Sequence, residues 1–244
     1  MKKQLAIASL ALLSFSGCRK ELWDDCFTGT GDTVIDERTI TGFTGIDISD
    51  RFDLVIVPDS VDRVIIETGE RLLEQIRTEV EEGTLVIRDG NTCNWVRRYD
   101  VPMTATVHCR ELRYLTCRGT GDVSTQGTLT VPWFHLRLWG AMGTPGRTLN
   151  AGSCVLHANT GPGDVYLHGT VQRLSIYSGG RSIVDTRDAQ ADVVDVNNSS
   201  VNDILLRANT SVGAVIAFSG NVYWTGPGSV AWTNITGSGQ LIHQ

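Results

Sequence analysis

Asp122, Asp164 and Asp203 each stand three residues after a corner marked by glycine or serine, and of all the carboxylates their spacing comes nearest to chemistry. Two carboxyl groups facing each other across about 6.5 to 9.5 Å serve inverting glycosidases. Several carboxylate oxygens together hold calcium when all lie about 2.3 to 2.6 Å from the ion. The three aspartates fall on alternate coils of a repeat, with Gly143, Ser182 and Gln240 among the positions between. Neighbours in the row are then two strand spacings apart, about 10 Å. That is too far to share one calcium ion and at or beyond the limit for an acid–base pair. The row is expected to be a weak one of solvated turn carboxylates, spaced so that like charges do not stack.

The other reactive side chains are scattered. His135 lies five residues before Gly140 and His157 four before Gly161, so strand alternation is expected to put them on opposite faces, without a metal pair. His108, His168 and His243 read as single surface or turn histidines. No CxxC spacing suited to zinc occurs, and neither metal nor cofactor is expected. No nucleophile stands with a base, so no catalytic residue is assigned and the chain is read as non-enzymatic. Tryptophan gives the better signal. Trp139 fills a corner position held elsewhere by Thr160, Ser178, Ser219 and Thr236, and Trp224 and Trp232 follow near the C-terminus. These three are the candidate ligand contacts, because exposed aromatic rings stack on sugars or insert into a partner.

The elements that carry these residues repeat. Gly119, Gly140, Gly161, Gly179, Ser200, Gly220 and Gly237 mark corners at steps of 21, 21, 18, 21, 20 and 17 residues. A period of about twenty is too short for a two-helix repeat and suits coils of strand and turn. Each coil brings an apolar strand into the corner and a second strand out of it, as in Val193-Val194-Asp195-Val196 and then Ile204-Leu205-Leu206. Glycine at the corner is expected to supply backbone angles closed to residues with a Cβ. Asn159, Asn197, Asn198, Asn209 and Asn234 recur beside the corners and are expected to satisfy turn backbone as amide ladders. The expectation is an all-β chain: about seven coils of roughly 20 residues over 111–244, after a β-rich part over 33–110 with one short helix. That helix is expected from Glu70 to Ile76, with Leu72, Leu73 and Ile76 on one face; Glu82-Gly83 reads as the turn of a hairpin.

The N-terminus is an address. Lys2 and Lys3 precede an apolar run from Leu5 to Phe15, and Ser16-Gly17-Cys18 resembles the lipobox of bacterial lipoproteins. The resemblance implies a signal peptide over 1–17, palmitate or a similar lipid on Cys18, a tether over 18–32, and one domain over 33–244. Arg19 after the cysteine favours the outer membrane, and Lys20-Glu21 with Asp24-Asp25 is similar to export tags of surface lipoproteins in Bacteroidota. The formal charge of −6 becomes −8 without Lys2 and Lys3, and no basic stripe is present, so nucleic acid is not an expected partner. Five cysteines remain after Cys18, an odd number in an oxidising compartment. Cys154 reads as a buried thiol, and a single bridge would be expected between Cys93 and Cys109.

The series Phe43xxIle46xIle48, Phe52-Asp53-Leu54xIle56, Leu72-Leu73xxIle76 and Glu82-Gly83-Thr84-Leu85xIle87, followed by Ser-Gly and Thr-Gly corners, resembles the family called putative auto-transporter adhesin, head GIN domain. The resemblance spans roughly residues 40 to 244 and implies a parallel β-helix-like solenoid with no established activity. Departures fall at Trp139-Gly140 and Asn198-Ser199-Ser200, two places to look first for function. The leading functional reading is a non-enzymatic cell-envelope lipoprotein that binds a glycan or protein. Alternatives are a pectinase-like β-helix enzyme and a lipid or small-ligand binder. The chain stops soon after its last corner, at Gln240 to Gln244, so self-association through the C-terminal coil is a further expectation.

Overall fold

The computed structural model describes residues 29–91, 101–139, 147–159, 161 and 163–244. The signal segment, Cys18 with the tether as far as residue 28, Cys93 and Gly140 lie outside the described residues. Strand makes up 61% of the described residues, with one short helix. Alternating buried and open residues build each element, as in β7 (Thr104–Cys109), where Ala105, Val107 and Cys109 point inward.

Two parallel faces stack coil on coil. The longer face runs β6 (Thr84–Asp89), β2 (Gly45–Ile48), β8 (Tyr114–Cys117), β10 (Leu129–Leu138), β11 (Arg147–Ala158), β12 (Val165–Ser178), β14 (Ala189–Asn198), β16 (Ser211–Ile216) and β18 (Ser229–Ile235). The second face runs β7, β3 (Asp53–Pro58) and β9 (Val123–Thr125), where the Thr148 N–H of β11 donates to Thr125 Oγ1 at 2.9 Å. It continues through the first residues of β12 into β13 (Val184–Thr186), β15 (Ile204–Arg207), β17 (Val222–Thr225) and β19 (Leu241–His243). Between the faces, Leu115, Leu136, Leu156, Ile176, Val196 and Ala214 stack as one buried row at steps of 18 to 21 residues. The protein is thus a parallel β-solenoid of about six turns. About seven coils had been expected from seven corners, but seven corners bound six intervals.

The first coil is closed by antiparallel strands. β1 (Thr33–Arg38) pairs with β4 (Arg63–Gly69), and β4 with β7, at the edge of the second face. β5 (Ile76–Glu81) and β6 form the expected hairpin at the edge of the other. Glu82 and Gly83 both take positive φ, 48° and 76°, the geometry of a two-residue turn whose twist matches its strands. The helix is shorter than expected. α1 covers only Glu70–Leu73, and Ile76 instead begins β5 opposite Asp89, a β-branched residue better placed on a strand than in a second helical turn. Between β3 and β4, buried Asp62 accepts hydrogen bonds from the Arg110 guanidinium and main-chain N–H, which hold its carboxyl below the usual carboxylate range.

The corner glycines work differently from the expectation. Of Gly119, Gly161, Gly179, Gly220 and Gly237, Gly161 has positive φ, at 94°, and the others do not need it. What three of them need is closeness. A Cβ on Gly119, Gly220 or Gly237 would overlap the carbonyl of Asp50, Asn202 or Phe218 in the coil beneath, whereas one on Gly179 would meet only the Asn159 carbonyl at 3.8 Å. Cys109 and Cys154 are buried, and burial raises both thiols to about 12. Cys109 is a free thiol that points inward from β7, away from the surface; its expected partner Cys93 lies outside the described residues. Gly237→Ala should lower the unfolding free energy by about 2 kcal/mol, the scale of overpacking, and Gly179→Ala should change it by less than about 0.5 kcal/mol. Urea unfolding of the two variants beside the parent checks this; equal effects would mean the corners do not touch.

Candidate functional site

The outward residues of the longer face form two neighbouring columns. One holds Tyr114, His135, Val155, Ser175, Asp195, Gly213 and Trp232; the other Thr116, Arg137, His157, Tyr177, Asn197, Val215 and Asn234. Rings step between the columns as a continuous stripe. Trp133 meets Tyr114 edge-on at 4.8 Å, His135 lies 5.1 Å from His157, and His157 stacks on Tyr177 at 4.7 Å with 10° between planes. Arg113 sits over Trp133 at 5.4 Å.

The two histidines therefore share a face, against the expectation of opposite sides. The count from the corner misled because the corners are not in register. Arg137 pairs with His157 and Leu138 with Ala158, so Gly140 and Gly161 lie at different distances from equivalent rungs. Partial burial, and then the charge of Arg137, lower the pKa of both imidazoles, so both stay neutral at neutral pH. The Arg137 Nε–H donates to His135 Nε2 at 3.3 Å.

At one end of the stripe the surface opens into a groove of about 450 Å³. Tyr177 and Trp232, each 45 % exposed, flank it, and Ser175, Asp195, Asn197 and Val215 line it. Two features seat Trp232. The register of β16 against β18 slips between Val212 and Gly213, so Val230 pairs with Val212 but Trp232 pairs with Gly213, turning the indole outward. Gly213 then leaves room for the ring, which a Cβ there would overlap. Asp195 accepts a hydrogen bond from the Arg173 guanidinium at 3.1 Å, and Asn197 Oδ1 accepts from the Ser199 hydroxyl at 3.0 Å.

The remaining candidates take other places. Trp224 is 4 % exposed and stacks on His243 at 4.1 Å; it faces the interior from β17 and is not a surface contact. Trp139 is 45 % exposed at the end of β10, two coils before β12, and outside the groove. Two of the three aspartates in the row serve the backbone. Asp164 accepts from the Ile183 N–H at 3.3 Å and Asp203 from the Asn221 N–H at 2.7 Å, while the Asp122 N–H donates to Asp53 at 2.8 Å. The residue equivalent to Asp164 in the next coil is Ile183, one beyond the expected Ser182. At the Asn198 corner, the fully buried amide donates to the Gly220 and Asn202 carbonyls and accepts from the Ser200 N–H, so that departure from the pattern is structural. Among the described residues, no group of three His, Cys, Asp or Glu side chains is arranged to hold a metal ion. The sequence reading missed Tyr114, His135, His157 and Tyr177 as a set, although a ring recurs at roughly the coil length from one to the next.

The described residues thus form a parallel solenoid with a buried apolar interior and a groove on its outer face. The chain belongs to the family described as "Putative auto-transporter adhesin, head GIN domain", which it matches over residues 42–228. Among solved structures, a "putative adhesin" from Bacteroides fragilis is similar at 18% identity and a TM-score of 0.75, over 87% of this chain and 97% of that one. A "putative lipid binding protein" from Parabacteroides distasonis is 20% identical with a TM-score of 0.71, over 88% of this chain and 98% of that one. A "putative adhesin" from Parabacteroides merdae is 14% identical with a TM-score of 0.62, over 88% and 98%. At these identities the likeness is one of fold. No curated protein matches the sequence.

The lowered histidines give a pH dependence of definite sign. Below about pH 6.5 the unfolded chain takes up protons that native His135 and His157 refuse, so the part of stability linked to them is complete above that pH and falls as pH drops toward their native values. The midpoint of thermal unfolding should fall from about pH 7.5 to about pH 5.5, and by less in the His135→Gln, His157→Gln double variant. An identical fall in both proteins would place the titrating groups elsewhere.

Proposed function

We propose that this protein is a non-enzymatic adhesin of the cell envelope, held to a membrane by lipid on Cys18, with the groove between Tyr177 and Trp232 as its contact surface. The observation that carries the reading is that groove: two half-exposed aromatic rings flank a floor in which Ser175, Asp195 and Asn197 stand beside Val215. Family membership supports the adhesive role. The lipobox-like Ser16-Gly17-Cys18 supports the anchor and an outer-membrane, surface-exposed location, and no helix among the described residues is long and apolar enough to cross a membrane.

The alternatives have less support. A pectinase-like enzyme needs convergent carboxylates, but Asp164 and Asp203 are engaged with backbone N–H groups along the corner row. A lipid binder needs an apolar cavity, and the interior row from Leu115 to Ala214 is packed. Self-association through β18 belongs to the same proposal, since its Val230 and Ile235 are half exposed and no strand pairs with its outer edge among the described residues.

Cells carrying the full chain should adhere to an extracellular-matrix or mucin coating better than cells lacking it, and Tyr177→Ala with Trp232→Ala should remove most of the gain. Equal adhesion by all three strains would overturn the adhesive reading. Labelled palmitate should enter the parent and not the Cys18→Ala variant; label in both, or in neither, would refute the anchor.

A further inference from the structure

We propose that the Tyr177–Trp232 groove is a saccharide-binding site for a short, neutral, hydroxyl-rich glycan. The inference rests on the reading of that groove as the contact surface, and it names the ligand class. Four observations carry it.

The walls come first. Tyr177 lies on β12 and Trp232 on β18, three strands away, but the indole leans back over Gly213 on β16. The gap between the rings is thus about two strand spacings, about 10 Å. This is wide enough for a pyranose ring to lie between them with its C–H faces toward aromatic surfaces. Both rings are also held before any ligand arrives. His157 stacks behind Tyr177 at 4.7 Å, and Gly213 seats Trp232, so little side-chain freedom is lost on binding.

The floor is second. Ser175 offers a hydroxyl. Asn197 uses its oxygen for Ser199, which leaves its amide hydrogens as donors. Asp195 uses one carboxylate oxygen for Arg173, which leaves the other as an acceptor. Donors and acceptors within one groove match sugar hydroxyls, each of which is both. An apolar helix or strand of a protein partner would leave these groups unpaired, at a cost that works against it.

Charge is third. Arg173 and Asp195 neutralise each other at 3.1 Å, and the chain as a whole carries −6. Neither favours a sulfated or sialylated glycan. Size is fourth. A volume of about 450 Å³ falls within the range of about 300 to 1,000 Å³ typical of small-ligand sites and suits an oligosaccharide.

The test uses the full-length protein in detergent micelles on an array of neutral hexose and N-acetylhexosamine oligosaccharides, with sialylated and sulfated glycans and an apolar peptide set beside them. At least one neutral glycan should bind. Its affinity should fall by about tenfold or more in Tyr177→Ala, Trp232→Ala and Asp195→Asn, recover most of the loss in Trp232→Phe, and stay unchanged in Val201→Ala. Thermal midpoints measured on each variant exclude unfolding as the cause of a loss. Binding only to acidic glycans or to peptides, or neutral-glycan binding that survives all three substitutions, would overturn the proposal. The same variants are then used in the cell-adhesion assay with the free neutral oligosaccharides as competitors. Adhesion that depends on the groove but resists all of them sinks the saccharide inference and leaves the adhesive reading standing. Adhesion indifferent to the groove sinks both.

Discussion

The parallel main-chain ladder is the constraint on which the rest of this protein depends. Each coil donates and accepts along the coil beneath, at a spacing of about 4.8 Å, and this fixes which residues share a column and which face they take. Leu115 through Ala214 form a buried row because they are rung equivalents. Tyr114 and His135 are equivalents in one outward column and His157 and Tyr177 in the next, so their rings form a surface stripe that steps from column to column. The ladder also sets where it yields. The slip between Val212 and Gly213 is a local break in pairing, and it puts the Trp232 indole at the edge of the groove.

The corners solve the problem that the ladder creates. A chain turning at every coil exposes backbone groups that must find partners. Asp53, Asp164, Asp203 and Asn221 each accept the N–H of the equivalent residue one coil later, and buried Asn198 closes its own corner with its amide. Asp164 and Asp203, whose type and spacing suggested acid–base chemistry, are thereby engaged in holding coil to coil. The chemistry left in the groove is of a different kind: ring faces, a hydroxyl, an amide and the Arg173–Asp195 ion pair.

Much of this was readable from residue order alone. The spacing of Gly119, Gly161 and Gly220 marked the coils, and the alternation in segments such as Thr104–Cys109 marked the strands. Glu82-Gly83 marked a hairpin, because two successive residues with positive φ favour such a pair. Less was readable of the site. Trp232 stood out by type, yet so did Trp224, which the structure buries beneath His243. Tyr177, the opposite wall, carried no mark of its own. Its place beside the groove comes from His157 behind it and from Val215 and Gly213 across the strands.

The sequence by itself determined the repeat, the strand content, the hairpin and the family, because these depend on local periodicity and on residues whose backbone preferences are strong. Only the tertiary structure decided register. A corner glycine marks roughly where a coil turns but not which rung it follows, and one residue of slippage reverses the face on which a side chain lands. That is why His135 and His157 were expected apart and stand together. It is also why the groove emerges only when β12, β14, β16 and β18 are laid side by side.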